Sequence, residues 1–435
     1  MKIHLIGIGG IGVSALAQYY LAKGHEVSGS DLVASEITNF VKQKGVKVFI
    51  GNFAKNIKKD LDLVVYSPAV KENNKELKQA KKYKIKTISY PEALGELTKE
   101  YYTIAVAGAH GKSTTTAMVA LVLEKAGLDP TVIVGTKVKE FGDSNFRAGK
   151  SKLLVIEACE YDSSFLYYSP KIIVVTNVDK EHLDYFKTFE KVKKAFADFI
   201  VRLPADGFLI SNLDDQNIPQ IENPKIKTFG YSLGQDESKK LKKILKVPGI
   251  HNVSNALAVL QVARILEVPD EITFGTLSEF RGTWRRFEEI NPKITKFKNL
   301  KIISDYAHHP NEISATLKAA REKYPKKNIV CVFQPHQHQR THYLFGDFVK
   351  ILQQAQDNHF VDKIIVTDIY DVAGRETKKI NREVSSEKLV KKIGKKDVIY
   401  LPIKKIEKYI KENIKSGDVL IIMGAGDIYK LADKF

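Results

Sequence analysis

Short apolar runs rich in Val, Ile and Leu recur along the whole chain, and each breaks off into glycines or polar residues before a helical pattern begins. Runs of this kind predict strands buried on both faces, and their alternation with helices predicts open parallel α/β sheets. In such sheets ligands lie beyond the C-terminal ends of the strands, so the residues that end each run are the candidates for chemistry.

The run at residues 104–107 ends in Gly108-Ala109-His110-Gly111-Lys112-Ser113-Thr114, and residues 117–121 open a helix. Strand, glycine loop and helix form the setting of a phosphate-binding loop, in which backbone N–H groups and a helix N-terminus face an anion together. Lys112 is expected to reach the β- and γ-phosphates of ATP, and the Ser113 hydroxyl to hold Mg²⁺. A Walker A loop has glycine where this chain has Val106; the glycine stands at 108 instead, so a tighter loop is expected.

Two further runs end in acidic clusters. Residues 153–156 lead into Glu157, Glu160 and Asp162, and residues 171–176 into Asn177, Asp179, Glu181, His182 and Asp184. Carboxylates at strand ends beside a phosphate loop suit Mg²⁺, which takes a few carboxylates together with phosphate oxygens. Residues 188–203 read as an amphipathic helix, and Pro248 to Asn255 as a loop entering another.

Upstream, residues 4–8 form a strand that runs into Gly7-x-Gly9-Gly10-Ile11-Gly12. A helix follows at 14–23, then a strand ending in Ser30-Asp31. This is the dinucleotide-binding fingerprint, and the same geometry holds any nucleoside diphosphate. A strand at 63–66 ends in Ser67. Downstream the alternation resumes. Strand ends carry Asp305-Tyr306-Ala-His308-His309, Gln334-Pro-His336-Gln337-His338-Gln-Arg340, Asp368 to Tyr370 followed by Gly374-Arg375-Glu376, and Gly424-Ala-Gly426-Asp427. The histidines lack companion ligands at zinc spacing, and with arginine they suit a carboxylate or phosphate better.

At 435 residues the chain exceeds a single core. Residues 280–288 have no periodicity and read as a join. The expected division is a Rossmann-like domain at 1–98, a central P-loop ATPase-like parallel sheet at 99–282, and a Rossmann-like domain at 283–435. A net charge of +18 first suggests nucleic acid, but the lysines are spread along the chain with no aromatic-interleaved tract, so nucleic acid is not an expected partner. No apolar run approaches the roughly 20 residues that span a bilayer. The two cysteines, Cys159 and Cys331, match no disulfide or metal spacing, which fits a reducing, cytoplasmic setting.

Taken together, these motifs resemble the Mur ligase family. The resemblance runs from Gly7–Gly12 through Gly108–Thr114, Glu157–Asp162, Asn177–Asp184, His251–Asn255, Arg285–Glu288, Asp305–Pro310, Phe333–His336 with Arg340-Thr341, and Gly424–Asp427. The shortened phosphate loop is itself the family's form. The resemblance implies ATP-dependent ligation of L-alanine to the lactyl carboxylate of UDP-N-acetylmuramate through an acyl phosphate, in peptidoglycan precursor synthesis. It also implies closure of the domains, and a monomer or weak dimer.

It further implies roles for residues. Gly7, Gly9, Gly10, Ile11 and Gly12, with Ser30, Asp31 and Ser67, would bind the UDP substrate. Gly108 to Thr114, with Asn252, Asn255, Arg286 and Asp305, would bind ATP. Lys112, Glu157 and His182 would be catalytic, and Ser113, Glu157 and His182 would hold metal. Tyr306, His308, His336 and Arg340 would bind the amino acid. The chain departs from the family at Gln337, usually arginine, which leaves glycine and serine open beside alanine. Several Mur ligases carry a carbamylated lysine where this chain has Phe196; the alanine-adding branch is expected to lack it. The alternatives are a ligase that attaches a preformed tripeptide in wall recycling, an NAD-dependent dehydrogenase, and a nucleic-acid-stimulated ATPase.

Overall fold

The computed structural model describes residues 1–218, 226–371 and 383–435. Gly374-Arg375-Glu376 lies outside the described residues. Three sheets organise the described residues. The first is built from β1 (Lys2–Ile6), β2 (Glu26–Asp31), β3 (Lys47–Ile50), β4 (Leu63–Tyr66) and β5 (Lys86–Ser89). It is wholly parallel, in the order β3-β2-β1-β4-β5. β1 therefore sits at the point where strand order reverses, and the loops after β1 and β4 flank the ligand crevice. β1 ends two residues earlier than the apolar run suggests, because Gly7 turns to φ 84°.

The second sheet holds β6 (Tyr102–Ala107), β7 (Thr131–Val138), β8 (Ser144–Arg147), β9 (Leu153–Glu157), β10 (Ile172–Val175), β11 (Phe208–Asn212) and β12 (Lys227–Tyr231). Its order is β12-β11-β10-β6-β9-β7-β8, parallel except for the β7–β8 hairpin. β6 lies between β10 and β9, so three strand ends converge: residues 108–114, Thr176-Asn177 and Glu157–Glu160. Ile104 to Ala107 are fully buried, as a central strand covered on both faces requires.

The third sheet runs β13 (Glu288–Ile290), β14 (Lys301–Asp305), β18 (Val419–Met423), β15 (Ile329–Phe333), β16 (Lys363–Val366) and β17 (Val398–Tyr400) in that spatial order, with only β13 antiparallel. Alternate residues feed opposite cores: Ile421 and Met423 join one cluster, Leu420 and Ile422 the other.

The chain divides into two compact units. One comprises Met1–Asp179, Glu190–Leu241 and Ser254–Ser278, and contains the first two sheets; the other comprises Lys180–Phe189, Lys242–Val253 and Glu279–Phe435. Two short segments from within residues 99–282 thus pack with the C-terminal sheet.

Inside the first unit a buried polar network ties the helix Ile11–Ala22 to the β7–β8 hairpin. Gln18 donates to Asn145 Oδ1 at 2.8 Å and accepts from the Ser144 hydroxyl at 3.0 Å. The Asn145 amide donates to the Ser14 hydroxyl at 2.9 Å and to the Ile11 carbonyl.

A second buried network lies under the first sheet. Glu76 accepts from Ser30 Oγ and Asn56 Nδ2, and His4 Nε2 lies 3.6 Å from its carboxylate. Burial alone would raise the Glu76 pKa, but the adjacent His4 and the hydrogen bonds from Ser30 and Asn56 outweigh it and hold the group below its ordinary 4.5. A depressed folded-state pKa contributes stability that is complete above the unfolded value and fades as pH falls through the folded one. Glu76→Gln is therefore expected to lower stability at pH 7 by about 1–3 kcal/mol and to flatten the loss of stability below about pH 4.5. Urea titrations across pH 3–7 check this; parallel acid limbs in the two proteins would contradict it.

Candidate functional site

The phosphate loop is shaped by its neighbours more than by its own sequence. Gly108 stands at φ 142° and Gly111 at φ 81°, and the helix Lys112–Lys125 starts directly behind them. A Cβ on Gly108 would collide with Thr176 Oγ1, and one on Gly111 with the Asn255 side chain. The end of β10 holds the loop. Asn177 accepts the His110 N–H at 2.8 Å and donates to the His110 carbonyl at 2.9 Å. The Asn177 carbonyl accepts the Ala109 N–H at 3.0 Å, and Thr176 Oγ1 donates to the His110 carbonyl at 2.6 Å. His110 Nε2 lies 2.9 Å from Asp179. Asn177, read from sequence as part of a metal-binding end, is a clamp on the loop.

Lys112 folds over this loop. Its ammonium donates to the carbonyls of Gly108 and Ala109 and pairs with Glu160 at 3.0 Å. Burial would depress its pKa, but Glu160, with Cys159 and Glu157, outweighs that and keeps the group above the ordinary 10.5. Lys112 is charged at any physiological pH. Sequence reasoning placed Glu160 in the strand-end carboxylate cluster but gave it no role of its own. It is fully buried, and only its position behind Glu157 in the strand-end cluster marked it.

Glu157 ends β9 with one oxygen, Oε2, accepting the Gly135 N–H at 2.8 Å. A Cβ on Gly135 would meet both carboxylate oxygens at 2.7 Å. Glycine cradles at 108 and 111, an ammonium and a strand-end carboxylate fit a triphosphate with a divalent cation. Ser113 shares this unit, whereas His182 belongs to the other. Asn255 adjoins the loop at Gly111, and Asn252 donates to the Pro248 carbonyl at 2.7 Å. Phe196 is fully buried edge-on to Phe165, 5.4 Å between ring centroids, so that helix face is hydrophobic core. Burial pushes both thiols up, Cys159 to about 12, so neither is a nucleophile.

In the first sheet the loop after β1 is packed tightly at its glycines. A Cβ on Gly7 would strike Ser67, one on Gly9 the Asp31 carboxylate, and one on Gly12 the Tyr90 ring. Asp31 accepts the Gly9 N–H at 2.8 Å, so it braces the loop. Ser67 Oγ accepts the Ala69 N–H at 3.3 Å. Ser30 departs from expectation. Its hydroxyl is buried and donates to Glu76, so it serves the domain's interior.

The second unit assembles the expected amino-acid residues. His308 lies edge-on to Tyr306 (5.3 Å) and to His336 (5.8 Å), and His336 stacks on Tyr370. Arg340 donates to His336 Nδ1 at 3.1 Å and pairs with Glu181 at 3.2 Å. Burial, reinforced by Arg340, lowers the His308 pKa to about 4, so this imidazole is neutral at pH 7. For Glu181 burial would raise the pKa, but Arg340 and the surrounding histidines hold it well below the carboxylate range. Gln337, at φ 70°, is buried, and its backbone N–H donates to the Tyr370 carbonyl at 2.9 Å.

Arg286 pairs with Glu312 at 3.4 Å. Asp305 is a backbone clamp, accepting N–H groups from Phe287 at 2.8 Å and Ala307 at 2.7 Å. Arg285, read from sequence only as part of a motif, is buried against Tyr306 and Tyr429 and donates to the carbonyls of Gly424 and Gly426.

Three family models match the chain in succession. They are the Mur ligase family catalytic domain over residues 2–102, the Mur ligase middle domain over 106–263, and the Mur ligase glutamate ligase domain over 285–426. The UDP-N-acetylmuramate–L-alanine ligase of Aquifex aeolicus is 42% identical, covering 100% of this chain and 97% of that one. The crystal structure of UDP-N-acetylmuramate–alanine ligase from Thermotoga maritima superposes with a TM-score of 0.81 at 29% identity, covering 100% of this chain and 98% of that one. A murein peptide ligase from Psychrobacter arcticus shares the fold, with a TM-score of 0.72 at 22% identity and coverage of 100% and 98%.

Proposed function

This chain belongs to the Mur ligase family, and on that footing we propose that it joins L-alanine to the lactyl carboxylate of UDP-N-acetylmuramate at the expense of ATP. The supporting observation is full-length similarity to L-alanine-adding ligases, in a chain that keeps the phosphate loop and its Lys112–Glu160 pair.

A carboxylate anion is a poor acyl donor, so it must first gain a leaving group. The lactyl oxygen attacks the γ-phosphorus, the bond to ADP breaks, and an acyl phosphate forms. The amine of L-alanine then attacks the acyl carbon, loses a proton, and phosphate departs. Two anions meet in the first step, so fixed positive charge has to offset their repulsion. Lys112 supplies it, with the N–H groups at the head of its helix. Mg²⁺ would be held by Ser113 and Glu157, with His182 as a further proposed ligand, and would neutralise phosphate charge when bound. The Gly135 N–H holds one Glu157 oxygen and so sets the direction of the other. Arg340 would receive the alanine carboxylate, and the neutral His308, together with His336, would wall the amino acid.

The test is phosphate release with ATP and UDP-N-acetylmuramate, given in turn L-alanine, glycine, L-serine or the wall tripeptide. Release is expected with L-alanine and to be much weaker with the others. Release with the tripeptide alone would overturn the proposal, and equal release with glycine or serine would relocate its specificity.

A further inference from the structure

Glu181 has no part in the reaction above, yet it holds the residue that receives the amino acid. It stands in the segment Lys180–Phe189, which packs with the C-terminal unit that carries Arg340. The two side chains pair at 3.2 Å and are only 4% and 10% exposed. The same oxygen, Oε2, accepts the backbone N–H of His182 at 3.3 Å. On its other side Arg340 Nη1 meets His336 Nδ1 at 3.1 Å. A guanidinium has no acceptor, so this imidazole nitrogen accepts and its proton sits on Nε2.

The pair is not sealed in apolar core. It borders a pocket lined by Lys180, Glu181, His182, Asp184, Arg340 and Tyr343. Guanidinium donors number five and lie in one rigid plane. Glu181 takes one from Nη2, and the ring nitrogen and carbonyl of His336 take two from Nη1, which fixes the plane and leaves two for a ligand. Lysine or an unanchored arginine would present its charge without that direction.

We propose that Glu181 is a positioning residue for the amino-acid substrate: it locks the guanidinium plane of Arg340 and, through the His182 N–H, ties that plane to the backbone that carries His182. The inference rests on the reading of Arg340 as the receiver of the amino-acid carboxylate. Because Glu181 acts through orientation, its loss falls on one substrate.

The experiment is steady-state phosphate release by the full chain, varying each substrate in turn. Glu181→Gln keeps the shape and removes the charge. It is expected to raise KM for L-alanine by roughly tenfold or more, the range for outer partners of a binding group. KM for ATP and for UDP-N-acetylmuramate should stay within about twofold. Glu181→Asp, which restores the charge, should give an intermediate KM for L-alanine. In an Arg340→Lys background Glu181→Gln should add nothing, since the oriented fork is already gone. An unchanged KM for L-alanine, or equal rises for all three substrates, would overturn the inference. If Glu181→Gln fails to fold, Glu181→Asp is judged by the same two criteria. Wild-type release that ignores L-alanine would instead sink the proposed function, which keeps the two failures distinct.

Discussion

Lys112→Ala is expected to abolish ligation, with a loss of about 10³-fold or more in kcat, while UDP-N-acetylmuramate still binds. The lysine is the fixed cation of the phosphate loop, whereas the loop at Gly7–Gly12, proposed to hold the UDP substrate, follows a strand of another sheet. Calorimetric titration of the UDP substrate and a phosphate-release assay separate the two effects. Equal loss of both would show that the loops are not independent. The variant also strands Glu160, whose side chain is 1% exposed, without its cation. Removing one member of a buried pair costs about 3 kcal/mol. The double variant Lys112→Ala/Glu160→Gln should recover most of that stability and none of the ligation, which separates a catalytic loss from an unfolding one.

Arg285→Ala is expected to be the most damaging substitution outside the reacting groups. The guanidinium is buried, donates to the Gly424 and Gly426 carbonyls, and lies over Tyr306 at 4.8 Å and Tyr429 at 4.4 Å. Losing charge-assisted bonds together with desolvated cation–π contacts should cost about 3 kcal/mol. Hydrogen exchange should rise in residues 285–306 and 419–435 and stay unchanged around the phosphate loop. Uniform exchange across the chain would contradict this placement.

The alternation of buried strands and helices was legible because parallel strands covered on both faces must be apolar throughout, and the three sheets follow it. The glycine loops were legible because only glycine takes φ 142° at 108 or 84° at 7 without strain. What the sequence could not show is whether a polar residue at a strand end faces a ligand or serves the protein. Asn177 and Asp305 spend their side chains on backbone N–H groups, and Ser30 on the buried Glu76. Such commitments depend on partners far along the chain. Asn177 lies 67 residues from His110, and no local period reports it. The same distance hid Glu181, since its arginine stands 159 residues away on another strand's loop. The dehydrogenase alternative fades for another reason: the chain matches three Mur ligase models in succession and ligases over its full length.

The polar seam between Gln18, Ser14 and the β7–β8 hairpin bears on how such enzymes can be recombined. A chimera cut after residue 98 would bring in a foreign first module and leave Ser144 and Asn145 facing side chains that evolved for another hairpin. Each buried amide or hydroxyl so orphaned costs about 1–3 kcal/mol, enough together to consume much of a domain's margin. The heritable block is therefore discontinuous in the gene: the first module and the hairpin at residues 131–147 must be exchanged as a matched set.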